Sequence, residues 1–112
     1  YDITHGEGLA IITPRWMRHI LNERTIERHV HFGTHIFGID KNLPDEEIAE
    51  RTIDATYALF ESLGIPMHLR DVGIDDSRLA EMAHHIAVNE GLDSAWAPLS
   101  ENAILDILKA SL

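Results

Sequence analysis

Eight histidines stand in a chain of 112 residues that has no cysteine. Neutral imidazole is the commonest protein metal ligand, so metal binding is the first chemistry to weigh. Thiolate sites, disulfides and cysteine nucleophiles are excluded by composition. Spacing then sorts the histidines. His29 and His31 are two apart, about 200° around a helix, and cannot share one ion. His31 and His35 sit at i and i+4 and could chelate one. Arg24 and Arg28 share their face and oppose a bound cation, and Glu27 is a ready partner for His31, so a solvated face is favoured over a metal pair. His84 and His85 are adjacent. His85 shares the polar face of Arg78, Glu81 and Asn89, and His84 borders an apolar stripe, so both read as surface or boundary residues. His19 and His68 have no carboxylate at a useful spacing and read as structural.

His5 has a different setting, in T-H-G-E-G. Glycines on this scale of spacing let a ligand or another backbone approach closely. A helix N-terminus favours the neutral, metal-binding imidazole. A metal site still needs three or four donors. From the residues alone, His5 as an ordinary helix-opening residue therefore stands beside His5 as a ligand.

The elements that would position these residues are all helical. The first should start at Thr4, where Thr4 and Glu7 form a T-x-x-E capping box. Its apolar stripe reads Leu9, Ile12, Trp16 and Ile20, widened by Ile11 and Met17. Pro14 lies inside it, removes one backbone donor and predicts a kink or break. A second helix is predicted over 24–37, with Ile26, Val30, Gly33 and Phe37 at helical spacing and Gly38 as its stop. The third starts at Pro44, carries Asp45, Glu46 and Glu47 in its first turn, and ends at Gly64. Ala49, Ile53, Tyr57, Phe60 and Leu63 form its expected buried stripe. A fourth covers 76–90, burying Leu79, Met82, Ala83 and Ile86 before Gly91. The last follows the N-cap Ser100 and buries Ile104, Leu105 and Leu108; residues 92–99 form a loop anchored by Trp96. The expected fold is all-α, a bundle or array of about five to seven helices.

Composition narrows the partners. Hydrophobic residues make up 45%, a share suited to one packed core. The formal charge of −10 repels phosphate backbones and anionic lipid surfaces, so neither nucleic acid nor membrane is an expected partner. No apolar run approaches the length of a bilayer span and no signal-peptide pattern is present, in keeping with a cytoplasmic protein. The first residue is Tyr1 rather than Met, with a motif within four residues of it. A piece of a longer protein is the expectation.

Residues 4–14, T-H-G-E-G-L-A-I-I-T-P, resemble the H-G-x-x-x-A-I-x-x-P signature of the iron-containing alcohol dehydrogenase family, and look closest to its butanol dehydrogenase-like branch. Residues 63–76, L-G-I-P-M-H-L-R-D-V-G-I-D-D, resemble the family's connector after a long amphipathic helix, and residues 98–112 resemble its closing helix. The ordered run of all three covers nearly the whole chain and is more specific than the His-Gly motif. The resemblance implies that residues 1–112 are the C-terminal helical metal-binding domain of a two-domain enzyme, without its nucleotide-binding domain. It implies that His5 is the last of four metal ligands, the others being an Asp and two His upstream of Tyr1. The implied cofactors are Fe(II), with Zn(II) as a substitute, and NAD or NADP bound mainly by the missing domain. The implied reaction is hydride transfer between the nicotinamide and a small alcohol or aldehyde whose oxygen the metal polarises. Gly6 and Gly8 would leave room in the cleft, Glu7 would serve as a cap, and the whole enzyme could form a homodimer. The fragment alone is expected to be inactive. Two alternatives remain: a freestanding helical interaction module, and a small histidine-based metal-binding protein using His31 and His35.

Overall fold

The computed structural model describes residues 5–90 and 97–112, with side chains described within 7–88 and 97–112. Five α-helices follow in order: α1 (His5–Ile20), α2 (Ile26–Ile36), α3 (Asp45–Ser62), α4 (Leu79–Glu90) and α5 (Glu101–Ala110). Two short 3₁₀ turns, Leu69–Val72 and Asp76–Arg78, connect α3 to α4. No strand occurs among the described residues, so the all-α expectation holds.

Helix α1 is the spine. Helix α3 packs on one side of it and α5 on another, while α2 pairs with α3 and α4 pairs with α5. The molecule measures 18 Å in its thinnest direction, room for about two layers of helices at roughly 10 Å each. A helix with neighbours on two sides needs a wide buried face. Ala10, Ile11, Pro14, Met17 and Ile20 are buried, whereas Leu9 is 53% exposed and Ile12 and Trp16 are half-buried. The expected stripe is thus rotated toward Ile11 and Met17, because α3 and α5 together claim that side.

Pro14 does not break α1: of the expected kink or break, the break is ruled out, and the helix runs continuously through it. The missing amide leaves the Ala10 carbonyl without its helical donor. The carbonyls on either side of it also accept from side chains: Thr13 Oγ1 donates to the Leu9 carbonyl at 2.5 Å and Arg15 Nη1 to the Ile11 carbonyl at 2.9 Å.

The turn between α1 and α2 is built by side chains. Asn22 Oδ1 accepts from the amides of Arg24 (2.8 Å) and Thr25 (3.1 Å). The buried Thr25 hydroxyl accepts from the Asn22 amide at 2.9 Å and donates to the Ile20 carbonyl at 2.6 Å. This Asx-type turn delays α2 until Ile26, two residues past the expected start. Gly38, at φ 66°, follows its end. Helix α3 begins after Pro44 and is followed by Gly64 at φ 83°. Its buried face is Ile48, Ala49, Thr52, Ile53 and Thr56; Tyr57 and Phe60 are half-buried and Leu63 is 67% exposed. The C-terminal end of α3 is therefore its less covered part, with Leu59 exposed as well.

The 3₁₀ connector is held from below. The Leu69 amide donates to the Ser111 carbonyl at 2.7 Å, which ties the connector to the end of α5. Asp75 caps the second 3₁₀ turn by accepting from the Ser77 amide, and the Ser77 side-chain and backbone hydrogen bonds hold its carboxyl below the usual range. The Arg78 guanidinium likewise lowers Glu81, by hydrogen bond and then by charge. Ser100 caps α5 as expected, accepting from the Ala103 amide at 3.1 Å. Thr4, Gly91 and Trp96, named above as a cap, a stop and an anchor, lie outside the described residues.

Candidate metal centre

His5 contributes the first backbone position of α1, followed within one turn by Gly6, Glu7 and Gly8. Its side chain lies outside the described residues. What is described is how the helix that carries it is fixed. Arg15 Nη1 donates to the Met67 carbonyl at 2.6 Å as well as to Ile11, and its guanidinium carbon lies 5.0 Å from the Tyr57 ring centre. One side chain thereby joins α1 to α3 and to the loop that follows it, with a cation–π contact added to two charge-assisted hydrogen bonds. Arg18 adds a forked pair of bonds to Glu50, at 2.9 and 2.7 Å, and lies 3.6 Å from Asp54. On the other side, Ile11 and Ile20 enter the aliphatic cluster formed with α4 and α5. The direction of α1, and so the place of its first turn, is set from three sides.

A single imidazole is one donor of the three or four that a metal needs. Among the described residues no group of three or more His, Asp or Glu side chains could hold an ion.

The remaining histidines fall into three kinds. His29 is buried, with Nδ1 3.1 Å from the Thr25 carbonyl oxygen and Nε2 2.9 Å from the Met17 carbonyl oxygen, so the ring bridges α1 and α2. In either neutral tautomer one of these nitrogens is the donor. The sequence hint for this role was the four-residue step from Thr25 to His29, which places the ring over a carbonyl of its own helix. His31 and His35 are exposed on the opposite face and stack on each other at 4.0 Å between ring centres. The four-residue spacing does bring them together. His84 is exposed and its Nδ1 lies 2.8 Å from Glu101 Oε1, pairing α4 with α5. His85 is exposed, as the polar-face reading expects; His19 and His68, read as structural, are exposed as well.

Comparison with known proteins yields a family match. The family model described as "Fe-containing alcohol dehydrogenase family, C-terminal" matches residues 1–112. The chain is 46% identical over 112 residues to the NADH-dependent butanol dehydrogenase A of Clostridium acetobutylicum, covering 99% of this chain and 29% of that protein. It is 40% identical over 113 residues to the probable NADH-dependent butanol dehydrogenase 1 of Bacillus subtilis, again covering 29% of it. Over 82 residues, 70% of this chain and 20% of the relative, it is 30% identical to an NADPH-dependent aldehyde reductase of Escherichia coli. The chain thus spans under a third of the length of the curated relatives it matches.

Proposed function

We propose that this chain, which belongs to the Fe-containing alcohol dehydrogenase family, is the C-terminal helical domain of an NAD(P)-dependent dehydrogenase for small alcohols and aldehydes, with His5 as a metal ligand. The observation that carries this reading is the match over the whole chain, starting at a helix whose first position is a histidine. The butanol dehydrogenase names of its relatives favour a short aliphatic aldehyde or alcohol as substrate and NADH as the reductant. Among the described residues no helix is long and apolar enough to cross a membrane, and we assign the whole enzyme to the cytoplasm.

A divalent metal, iron(II) or zinc(II), would polarise the substrate oxygen, the role of a Lewis acid in such reactions. The contribution of this chain is positional. His5 would supply one imidazole at the start of α1, and Arg15, Arg18 and Ile11 hold that helix in line with the rest of the domain. Gly6 and Gly8, without side chains, would leave room beside His5 for substrate or nicotinamide. Nothing in this reading gives the fragment its own activity: the nucleotide-binding domain and three further metal donors belong to the missing two thirds.

The test uses the whole enzyme. In the full-length protein, His5→Ala should abolish stoichiometric metal and reduce NADH-linked butyraldehyde reduction by at least about a hundredfold, the scale of a lost catalytic ligand. A His5→Ala enzyme that keeps both its metal and its rate would refute the assignment. The fragment alone should show no turnover.

A further inference from the structure

The α2 histidine pair faces away from the packed side of its helix and plays no part in the reading above. His31 and His35 are both exposed, one turn apart, with ring centres 4.0 Å apart and planes inclined by 28°. The pair borders a shallow concavity that also includes Glu27, Arg28, Phe32 and Ile36.

One ring nitrogen of His35 is already engaged. Its Nδ1 lies 2.9 Å from the His31 carbonyl oxygen and 3.2 Å from Thr34 Oγ1. A carbonyl oxygen can only accept, so Nδ1 carries the proton and the neutral ring presents its lone pair on Nε2. A backbone carbonyl on one ring nitrogen that fixes the other as donor to a metal is the arrangement common to metal-bound histidines. No hydrogen bond among the described residues engages the His31 ring, which is free to turn about its side-chain bonds toward the same point. The sequence objection was the presence of Arg24 and Arg28. Arg28 does border the concavity, but Glu27 borders it too, so the local formal charge is balanced and the chain as a whole carries −10.

We propose that His31 and His35 form a two-point chelate for a divalent transition metal of the imidazole-binding class, Ni(II), Cu(II) or Zn(II), with water completing the coordination. For both Nε2 atoms to converge on one ion the rings must turn out of their stack. Joining two donors on one rigid helical turn makes the second bond intramolecular, which raises affinity over a single histidine by about a hundredfold. Bound metal would also clasp the last two turns of α2.

Ni(II) is the probe, since Cu(II) binds isolated histidines more readily. Titrating the chain with NiCl₂ should saturate at one equivalent, with paramagnetic broadening of amide signals centred on residues 27–36, and should raise the unfolding midpoint by linkage. His35→Ala and His31→Ala, at exposed positions that leave packing intact, should each weaken binding by about a hundredfold and remove the rise in midpoint. His84→Ala and His5→Ala should change neither. Binding that survives His35→Ala, broadening centred elsewhere, or the absence of saturable uptake would overturn the proposal. Dependence on His5 with indifference to His31 would overturn it while favouring the family site, so the two readings stand or fall separately.

Discussion

The two helix pairs that flank α1 are held by different means. The α4–α5 pair and its connectors bury an aliphatic cluster of Leu69, Ile74, Leu79, Ala83, Ile104, Ile107 and Leu108, closed over Ile11 and Ile20 of α1. The α2–α3 pair buries Ile48, Ala49 and Ile53, but also Thr25, His29, Thr52 and Thr56. Each of those polar groups is hydrogen-bonded: Thr52 Oγ1 donates to the Ile48 carbonyl at 2.7 Å with the His29 carbonyl at 3.3 Å, and Thr56 Oγ1 donates to the Thr52 carbonyl at 2.8 Å. Gly33 makes this possible by letting α2 and α3 approach closely. A Cβ added there would lie 1.9 Å from Thr52 Oγ1 and 3.2 Å from Ile39 Cδ1. One pair therefore depends on apolar volume, the other on fit and on satisfied polar groups. Volume tolerates shape changes and fit does not.

Substitutions can break that comparison, beginning with the largest effect. Leu108, 1% exposed, should lose about 3 kcal/mol on Leu108→Ala in urea unfolding, with Leu108→Met costing under about 1.5 kcal/mol. An equal loss for both would mean that the α4–α5 core is as shape-specific as its counterpart. Gly33→Ala should destabilise by about 2 kcal/mol, although alanine in a free helix would gain about 1 kcal/mol. Thr52→Ala in the same chain should recover part of that loss, and simple additivity of the two would deny that they meet. His29→Phe keeps a ring of similar size but withdraws the link to the Met17 and Thr25 carbonyls. A loss of about 1–3 kcal/mol is expected, and a neutral outcome would reduce His29 to a filler. The exposed His84–Glu101 pair should matter little. Glu101→Gln should shift stability by less than about 1 kcal/mol, and a larger effect would show that α4–α5 also leans on polar contacts.

The smallest effect concerns acid. Asp75 is depressed in the folded chain by its Ser77 bonds. Its contribution is therefore present above its unfolded value and fades as pH falls through the folded one. Ser77→Ala should let the Asp75 carboxyl titrate nearer the ordinary carboxylate range, as read by carboxyl NMR, and flatten the acid limb of the stability curve. An unmoved titration would remove Ser77 as the cause.

The α4–α5 side was the more legible half for the same reason. Aliphatic residues at helical spacing, Leu79 with Ala83 and Ile104 with Leu108, announce a buried face whatever they pack on. Threonine and histidine give no such signal, because the same residues suit a solvated surface equally well. Beside the carbonyl four residues back, Thr52 reaches the His29 carbonyl and His29 the Met17 carbonyl, partners that no spacing rule locates. Arg15 was hidden in the same way, since its Met67 and Tyr57 partners lie on loop and helix segments far along the chain.

What the sequence by itself determined is local. Pro44, Gly38, Gly64 and Ser100 bound the helices because each acts through its own backbone or first turn. What only the tertiary structure decided is relational. The rotation of the buried face of α1 toward Ile11 and Met17 and the close approach of Gly33 to Thr52 both depend on groups brought in from elsewhere in the chain. A backbone preference acts over a few bonds, while a hydrogen bond or a steric fit is defined by whichever group arrives on the other side.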